Sequence, residues 1–204
     1  MFITCNTCAR PYPHIGAPYR CECGGYFGIS NFPFFVPPDE AGHDLRMWKY
    51  SHLFGVADLS PAVSLGEGET PLVEAEFHGH RVFYKMESQN PTGSYKDRGS
   101  AVLVTFLRSR GVTEAVEDSS GNAGASFAAY AARAGIKAHV YVPETTSGPK
   151  LNQIRMYGAD VVRVPGARSE ASRAVLEAVG RGSVYASHAY MPFGLPGIAT
   201  ISYE

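Results

Sequence analysis

The apolar residues between positions 93 and 190 fall into short blocks that alternate with longer stretches of helical spacing. Short apolar blocks bounded by turn residues are typical of buried strands, and the longer stretches are typical of helices. We predict strands at 115–116, 137–142, 160–164 and 183–186, and helices ending at residue 134, at 149–157 and at 169–179. This alternation predicts an α/β fold, a parallel sheet with helices on its faces, with functional loops at the carboxyl ends of the strands.

Before this region, the segments 72–76 and 81–86 predict an antiparallel hairpin joined at His78-Gly79-His80. The two histidines fit solvated turn residues better than a metal site. After the hairpin, residues 91–93 predict a turn, and an apolar run follows at 101–107. Ser94 fits a helix N-cap and Asp97 lies three residues later, a variant of the capping box.

Composition excludes several classes of function. The chain has 204 residues, of which 45% are apolar, and a formal net charge of -1 without blocks of like charge. This balance argues against nucleic acid or a membrane surface as the main partner. We find no secretory signal pattern and no apolar run long enough to span a bilayer, so we expect a cytoplasmic protein.

All four cysteines lie in the first 23 residues as two close pairs. Paired cysteines in two turns are typical of a structural zinc site, and cytoplasmic cysteines rarely form disulfides. The alternative is four free buried thiols, and His14 is a weaker candidate ligand. The predicted zinc ligands are Cys5, Cys8, Cys21 and Cys23.

Lys96 falls in the first turn of the predicted helix, near its positive end. Such a position favours a neutral amine that can condense with an aldehyde, although an isolated lysine there is more often a surface residue. The whole segment 89–100, QNPTGSYKDRGS, decides between the two. It resembles the lysine-attachment motif of fold-type II pyridoxal-phosphate (PLP) enzymes, which include threonine synthases, threonine and serine dehydratases and cysteine synthases. The resemblance implies that Lys96 binds PLP covalently, in a fold similar to the tryptophan synthase β-subunit.

A second segment, Ser119-Ser120-Gly121-Asn122-Ala123-Gly124, opens a helix at the predicted carboxyl end of a strand. It resembles the asparagine loop of the same family. The resemblance implies that Asn122 contacts the phenolic oxygen of PLP, and that Ser119, Ser120 and the N–H of Ala123 hold the substrate carboxylate. The acidic pair just before the loop has two open interpretations, exposure to solvent or pairing with a cation.

Three further features resemble threonine synthases in particular: the cysteine pairs, the segment around Trp48, and Gly66-Glu67-Gly68-Glu69-Thr70-Pro71-Leu72. Lys150 and Arg155 are either contacts for an anionic substrate group or solvated helix residues. The resemblance implies conversion of O-phosphohomoserine to threonine and phosphate, with a small amino acid as the substrate and a homodimer as the full-length form. The alternatives are a serine or threonine dehydratase or ammonia-lyase of the same fold, and a non-catalytic zinc-binding fragment.

The resemblance also implies a division of the chain. We predict a zinc-knuckle segment at 1–28, a linker and the start of the larger PLP domain at 29–92, the smaller α/β domain at 93–190, and re-entry into the larger domain at 191–204. The family's glycine-rich loop for the PLP phosphate would lie further along. We therefore expect a chain that lacks the C-terminal part of the larger domain and is inactive alone.

Overall fold

The structure is a computed structural model that describes residues 2–31, 40–55 and 62–204. Parts of the predicted linker, at 32–39 and 56–61, lie outside the described residues. The predicted domain boundaries stay predictions. None of the helices within the described ranges combines the length and the apolar character that crossing a bilayer requires.

Four parallel strands form the central sheet. In chain order they are β5 (Glu114–Glu117), β6 (Lys137–Pro143), β7 (Asp160–Val164) and β8 (Val184–Tyr185), following β1 to β4 in two hairpins described below. Their spatial order is β7-β6-β5-β8, and every neighbouring pair is parallel. The predicted parallel sheet with helices is confirmed.

The helices that accompany the sheet are α1 (Lys96–Ser109), α2 (Asn122–Ala134), α3 (Pro149–Met156), α4 (Arg168–Gly180) and the short α5 (Leu195–Ala199). Gly135 ends α2 in the left-handed region with φ of 72°, as predicted for a helix C-terminus. The helix predicted at 169–179 is one residue longer at each end. Gly180 is the last helical residue, and the positive φ of 105° falls on Gly182.

Successive residues of the central strand β5 point to opposite faces of the sheet. Ala115 belongs to the main core together with residues of α1 and α2. Val116, its neighbour, packs with Val175 of α4 and with Tyr185. This alternation follows from the two-residue period of a strand, and it explains why the sheet is covered by helices on both sides.

Two antiparallel hairpins precede the sheet. Strands β1 (Phe2–Cys5) and β2 (Phe27–Ser30) pair near the N-terminus. Strands β3 (Leu72–Phe77) and β4 (His80–Lys85) form the hairpin that the sequence predicts, with both turn histidines exposed. Short 3₁₀ segments complete the described chain at Glu40–Leu53, Glu87–Gln89, Pro192–Gly194 and Thr200–Ser202.

The first hairpin joins the main core through aromatic side chains. Tyr12 is buried, and its ring lies 4.6 Å from that of Phe27 and 4.8 Å from that of Phe193. Phe193 in turn stacks on Phe106 of α1. Aromatic rings bury a large apolar area, so these contacts hold the N-terminal segment against the α/β unit.

The Trp48 segment is tied to the core by one buried carboxylate. Glu67 is fully buried and accepts hydrogen bonds from Trp48 Nε1 at 2.7 Å, from the Leu65 N–H at 2.9 Å and from the Tyr130 hydroxyl at 2.6 Å. Burial and the Glu67 charge raise the pKa of Tyr130, so this hydroxyl stays a donor. The sequence does not indicate this polar contact, which is visible only in the fold.

A second buried ionic cluster is centred on Arg98 in α1. Its guanidinium is fully buried and lies 2.8 Å from oxygens of both Glu87 and Glu204. It also donates to Thr70 and Thr200, while Lys85 Nζ lies 2.9 Å from Glu204.

Burial would lower the pKa of Arg98, but the hydrogen bonds and charges of Glu204 and Glu87 outweigh it and raise that pKa. Burial would raise the pKa of Glu204, but hydrogen bonds led by Arg98 outweigh it and lower that pKa to about 2. The cluster is therefore fully ionised at neutral pH. It joins the β3–β4 hairpin and residues 200–204 to α1.

Beside this cluster, α1 and the segment around α5 approach each other closely. A Cβ added to Gly197 would lie 2.1 Å from the Arg98 carbonyl oxygen, and one added to Gly99 would lie 3.1 Å from the Gly194 carbonyl oxygen. Only glycine allows backbones this close, so the glycines set the position of residues 192–204.

We predict that Arg98→Met lowers the free energy of unfolding by about 3–5 kcal/mol, because it leaves two buried carboxylates without their cation. Urea denaturation followed by circular dichroism measures the change. Arg173→Met is the control, because the Arg173–Glu170 pair lies on an exposed helix surface and its loss is worth at most about 1 kcal/mol. Equal effects of the two substitutions would contradict a central role for the Arg98 cluster.

Candidate active site

Lys96 is the first residue of α1 and its side chain is half-buried. It lines a narrow cleft together with Ser100 of the same helix, Ala123 at the start of α2, and Glu117 and His188 from the sheet edge. Its ammonium lies 5.0 Å from the centre of the Tyr95 ring. The predicted lysine therefore faces a cleft at the carboxyl edge of the sheet, where ligands bind in open α/β folds.

The turn before Lys96 is held by an aspartate rather than by a helix cap. Asp97 is buried and accepts hydrogen bonds from the Thr92 N–H at 2.6 Å and the Thr92 hydroxyl at 2.5 Å. The backbone N–H of Lys96 donates to Ser94 Oγ at 3.4 Å. The residue that precedes α1, Tyr95, makes no side-chain cap hydrogen bond. The predicted capping box is wrong because Asp97 bonds the turn residue Thr92 instead of reaching back to Ser94.

Lys150 reinforces the same turn. Its ammonium donates to the Thr92 carbonyl oxygen at 2.9 Å, and its side chain is half-buried at the start of α3. Arg155, on the following turn of α3, is exposed. Arg155 matches the solvated helix residue of the two interpretations, whereas the Lys150 contact with the Thr92 carbonyl oxygen was not foreseen by either.

The asparagine loop follows β5 and turns sharply into α2. A Cβ on Gly124 would lie only 1.8 Å from the Ser119 carbonyl oxygen, so the loop is folded against the first turn of the helix. Ser119 Oγ accepts a hydrogen bond from the Gly121 N–H at 3.3 Å. The first N–H groups of a helix have no acceptor within it, so the start of α2 presents donors to an anion.

The acidic pair at the end of β5 is buried, and both residues have partners. Glu117 contacts His188 Nδ1 at 2.6 Å and accepts a hydrogen bond from the Ser119 N–H. Asp118 accepts from the Tyr185 hydroxyl and the Ser172 hydroxyl, each at 2.7 Å, and pairs with Arg168 at 3.0 Å. Of the two open interpretations, pairing with a cation is confirmed for Asp118, whose partner is Arg168, and Glu117 is paired with a histidine.

The structure places only some of the predicted site residues in the lining of the cleft. Lys96 and Ala123 line the same cleft. Ser119, Ser120 and Asn122 lie on the loop beside it, with Asn122 exposed, and their roles stay predictions. His188 was missed by the sequence, since a lone histidine after a short strand carries no signal of its own.

The four cysteine sulfurs lie within 4.8 Å of one another, in the two turns enclosed by the β1–β2 hairpin. Cys5 and Cys23 are 3.5 Å apart, and Cys8 and Cys21 are 3.8 Å apart. Four thiolates bound tetrahedrally to zinc at about 2.3 Å would be about 3.8 Å apart. The set could therefore hold one such ion. His14 is exposed and lies outside this group.

The pKa values of two of the thiols are shifted in opposite directions. Burial would raise the pKa of Cys5, but N–H groups of Cys8 and Thr7 outweigh it and lower that pKa to about 6. The Gly25 N–H favours the Cys23 thiolate, but the sulfurs of Cys8 and Cys5 outweigh it and raise the pKa of Cys23 to about 12. One thiolate forms readily, and crowding then opposes further ionisation unless a cation compensates the charge.

Comparisons with known proteins agree with this geometry. Residues 63–204 match the family described as pyridoxal-phosphate dependent enzyme. The chain is 36% identical to a threonine synthase of Methanocaldococcus jannaschii, over 100% of this chain and 53% of that protein. It is 35% identical to a threonine synthase of Synechocystis, over 76% of this chain and 42% of that protein.

Among solved structures, a pyridoxal 5'-phosphate-dependent aspartate racemase matches with a TM-score of 0.56 and 30% identity. The match covers 66% of this chain and 44% of the racemase. The chain spans about half the length of the curated relatives it matches.

We predict that Gly124→Ala lowers the free energy of unfolding by about 1–3 kcal/mol, because the new methyl group overlaps the Ser119 carbonyl oxygen and forces the loop away from α2. Gly180→Ala is the control, because a Cβ there meets no atom within 4 Å. Its stability should be unchanged or higher by up to about 1 kcal/mol. Urea denaturation compares the two, and a neutral Gly124→Ala would contradict the tight loop.

Proposed function

The chain belongs to the family of pyridoxal-phosphate dependent enzymes, and from this premise we propose that it carries the lysine-bearing region of a threonine synthase. The reaction is the conversion of O-phosphohomoserine to threonine and phosphate. The threonine synthases among its relatives support this substrate. The single observation that carries the proposal is the placement of Lys96 and the start of α2 on one cleft.

The residues present fit PLP. Condensation with an aldehyde needs an accessible primary amine, and Lys96 is half-buried on a cleft rather than paired with a carboxylate among the described residues. Asn122 is exposed at the N-terminus of α2, beside that cleft. We propose that Lys96 binds the cofactor covalently and that Asn122 contacts its phenolic oxygen. When bound, PLP supplies an electron sink for carbanions of the substrate.

The other loop residues are suited to the amino-acid carboxylate. We propose that the hydroxyls of Ser119 and Ser120 and the Ala123 N–H, which lie before and in the first turn of α2, hold this carboxylate. A helix N-terminus binds an anion through unpaired N–H groups and the helix dipole. As a primary amine lining the cleft, the Lys96 side chain would also carry protons between substrate atoms.

The substrate is tested by incubating a full-length form, loaded with PLP, separately with O-phosphohomoserine, serine and threonine. Phosphate release from O-phosphohomoserine alone supports the synthase. Keto-acid and ammonia formation from serine or threonine would replace it with the dehydratase or ammonia-lyase alternative. A protein inert toward all three would favour the non-catalytic alternative.

We predict that Lys96→Ala in a full-length form abolishes turnover and removes the covalent PLP adduct detected by borohydride reduction and mass spectrometry. Lys137→Ala is the matched control, because Lys137 is exposed on β6 and its ammonium lies 3.6 Å from Asp160. The control should keep both properties. A Lys96→Ala protein that still forms the adduct at one defined lysine would show that another residue binds PLP.

We also propose that the cysteine cluster binds one structural zinc ion. The sulfur separations fit tetrahedral coordination, and four protein ligands leave no position for a substrate. Zinc would neutralise the thiolates that crowd one another in the metal-free cluster. Because the same segment packs on Phe193 through Tyr12, the ion would stabilise the contact between the first hairpin and the core.

We predict about one zinc ion per chain when the protein is purified without chelator, measured by plasma mass spectrometry. Cys21→Ser should lose the ion and lower thermal stability, because it removes a buried ligand. Ser30→Ala, on the adjoining strand β2, is the control and should keep the ion. A wild-type preparation without zinc and with four freely titrating thiols would rule out the site.

A further inference from the structure

The cleft that contains Lys96 has a second ionisable feature, a histidine with a buried carboxylate behind it. His188 Nδ1 lies 2.6 Å from Glu117 Oε1. The Glu117 side chain is 1% exposed, whereas the His188 side chain is 36% exposed. The pair therefore runs from the protein interior to the accessible surface of the cleft.

The hydrogen bonds of this pair define which ring nitrogen carries a proton. The second Glu117 oxygen accepts the Ser119 N–H, so the carboxyl group is held by contacts at both oxygens. An ionised carboxylate only accepts hydrogen bonds, so Nδ1 of His188 must be the donor. In the neutral ring Nε2 then has a free lone pair, which makes it a base.

The backbone around His188 is held on both sides. The Ala186 N–H donates to the Val116 carbonyl oxygen at 2.8 Å, which extends the pairing of β8 with β5. Ser187 Oγ accepts the N–H groups of Ala189 and Tyr190, each at 3.3 Å. The ring of Tyr190 stacks on Tyr26 of the cysteine segment at 4.8 Å. A histidine on a loop fixed in this way keeps a defined position.

The surroundings favour proton transfer at Nε2. Most of the cleft is apolar, lined by side chains such as Leu103, Phe127 and Ile198. Among the described residues that line it, Lys96 and His188 are the two basic side chains. Because the proposed function assigns Lys96 to the cofactor and to proton transfer between substrate carbon atoms, His188 is the second basic side chain available in this cleft.

We propose that His188 is a catalytic base that takes a proton from the water molecule adding to the substrate, and that Glu117 is its positioning residue. The inference rests on the proposed synthase function. One water O–H bond breaks, its proton passes to Nε2, and the water oxygen bonds to one carbon of the substrate double bond that phosphate loss leaves. The π electron pair passes to the neighbouring carbon, which takes its proton from Lys96. The imidazolium returns the proton to solvent through its exposed side.

The first test does not depend on activity. Nitrogen-15 NMR of the imidazole rings, assigned with His188→Asn, reports which nitrogen bears the proton. We expect the proton on Nδ1 of neutral His188 in the wild type, and a mixture of the two forms in Glu117→Gln. A wild-type ring protonated on Nε2 alone would overturn the proposal, whatever the substrate.

The second test is kinetic. His188→Asn should lower kcat for phosphate release by about 100-fold or more, as expected for loss of a general base. The affinity for PLP and the covalent adduct at Lys96 should stay within about twofold of wild type. Added imidazole should restore part of the activity of His188→Ala, an effect that a purely structural role would not produce.

A matched control exists at the opposite edge of the same sheet. His139 Nε2 lies 2.8 Å from Glu114, at the amino ends of β6 and β5. His139→Asn should leave kcat within about twofold of wild type. If His188→Asn retains wild-type kcat while the wild type releases phosphate, the role of His188 is overturned and the synthase stands. If the wild type turns over none of the three amino acids, both proposals fail.

Discussion

The buried guanidinium of Arg98 is the contact on which the arrangement of the described chain depends. Arg98 lies two residues after Lys96 in α1 and bonds carboxylates from two distant parts of the sequence, Glu87 and Glu204. A buried charge of this kind is tolerated only when every donor has a partner, so the surrounding chain must adopt one arrangement. The segments that converge on Arg98 thereby set the start of the lysine helix.

Close backbone packing also fixes the position of the chain around α1. Gly197 and Gly194 let residues 192–204 lie against α1, directly behind the cleft. Ile198 from this segment forms part of the cleft wall. The ionic cluster and the glycine contacts therefore support the site from the side opposite to the sheet. A change in either would move the cleft without touching Lys96.

Several buried polar contacts meet at the carboxyl end of β5. Asp118 is used for architecture, since it ties α4 to β8 through Ser172 and Tyr185. Glu117, one residue earlier, faces the opposite side and meets the cleft. Adjacent residues of a strand point in opposite directions, and this geometry gives two neighbouring acids separate roles. The tyrosines of the cysteine segment reach the same edge through Tyr190.

The sequence by itself determined the parallel sheet, the lysine, the asparagine loop and the paired cysteines, because periodicity and short motifs are local properties. The predicted capping box at the start of α1 was wrong, because Asp97 accepts hydrogen bonds from Thr92 and not from Ser94. Only the tertiary structure decided the partners of Arg98 and the meeting of Glu117 with His188, which are 71 positions apart in the chain. Such pairs arise when parallel strands bring distant loops to one edge, and no local pattern records which loops will meet.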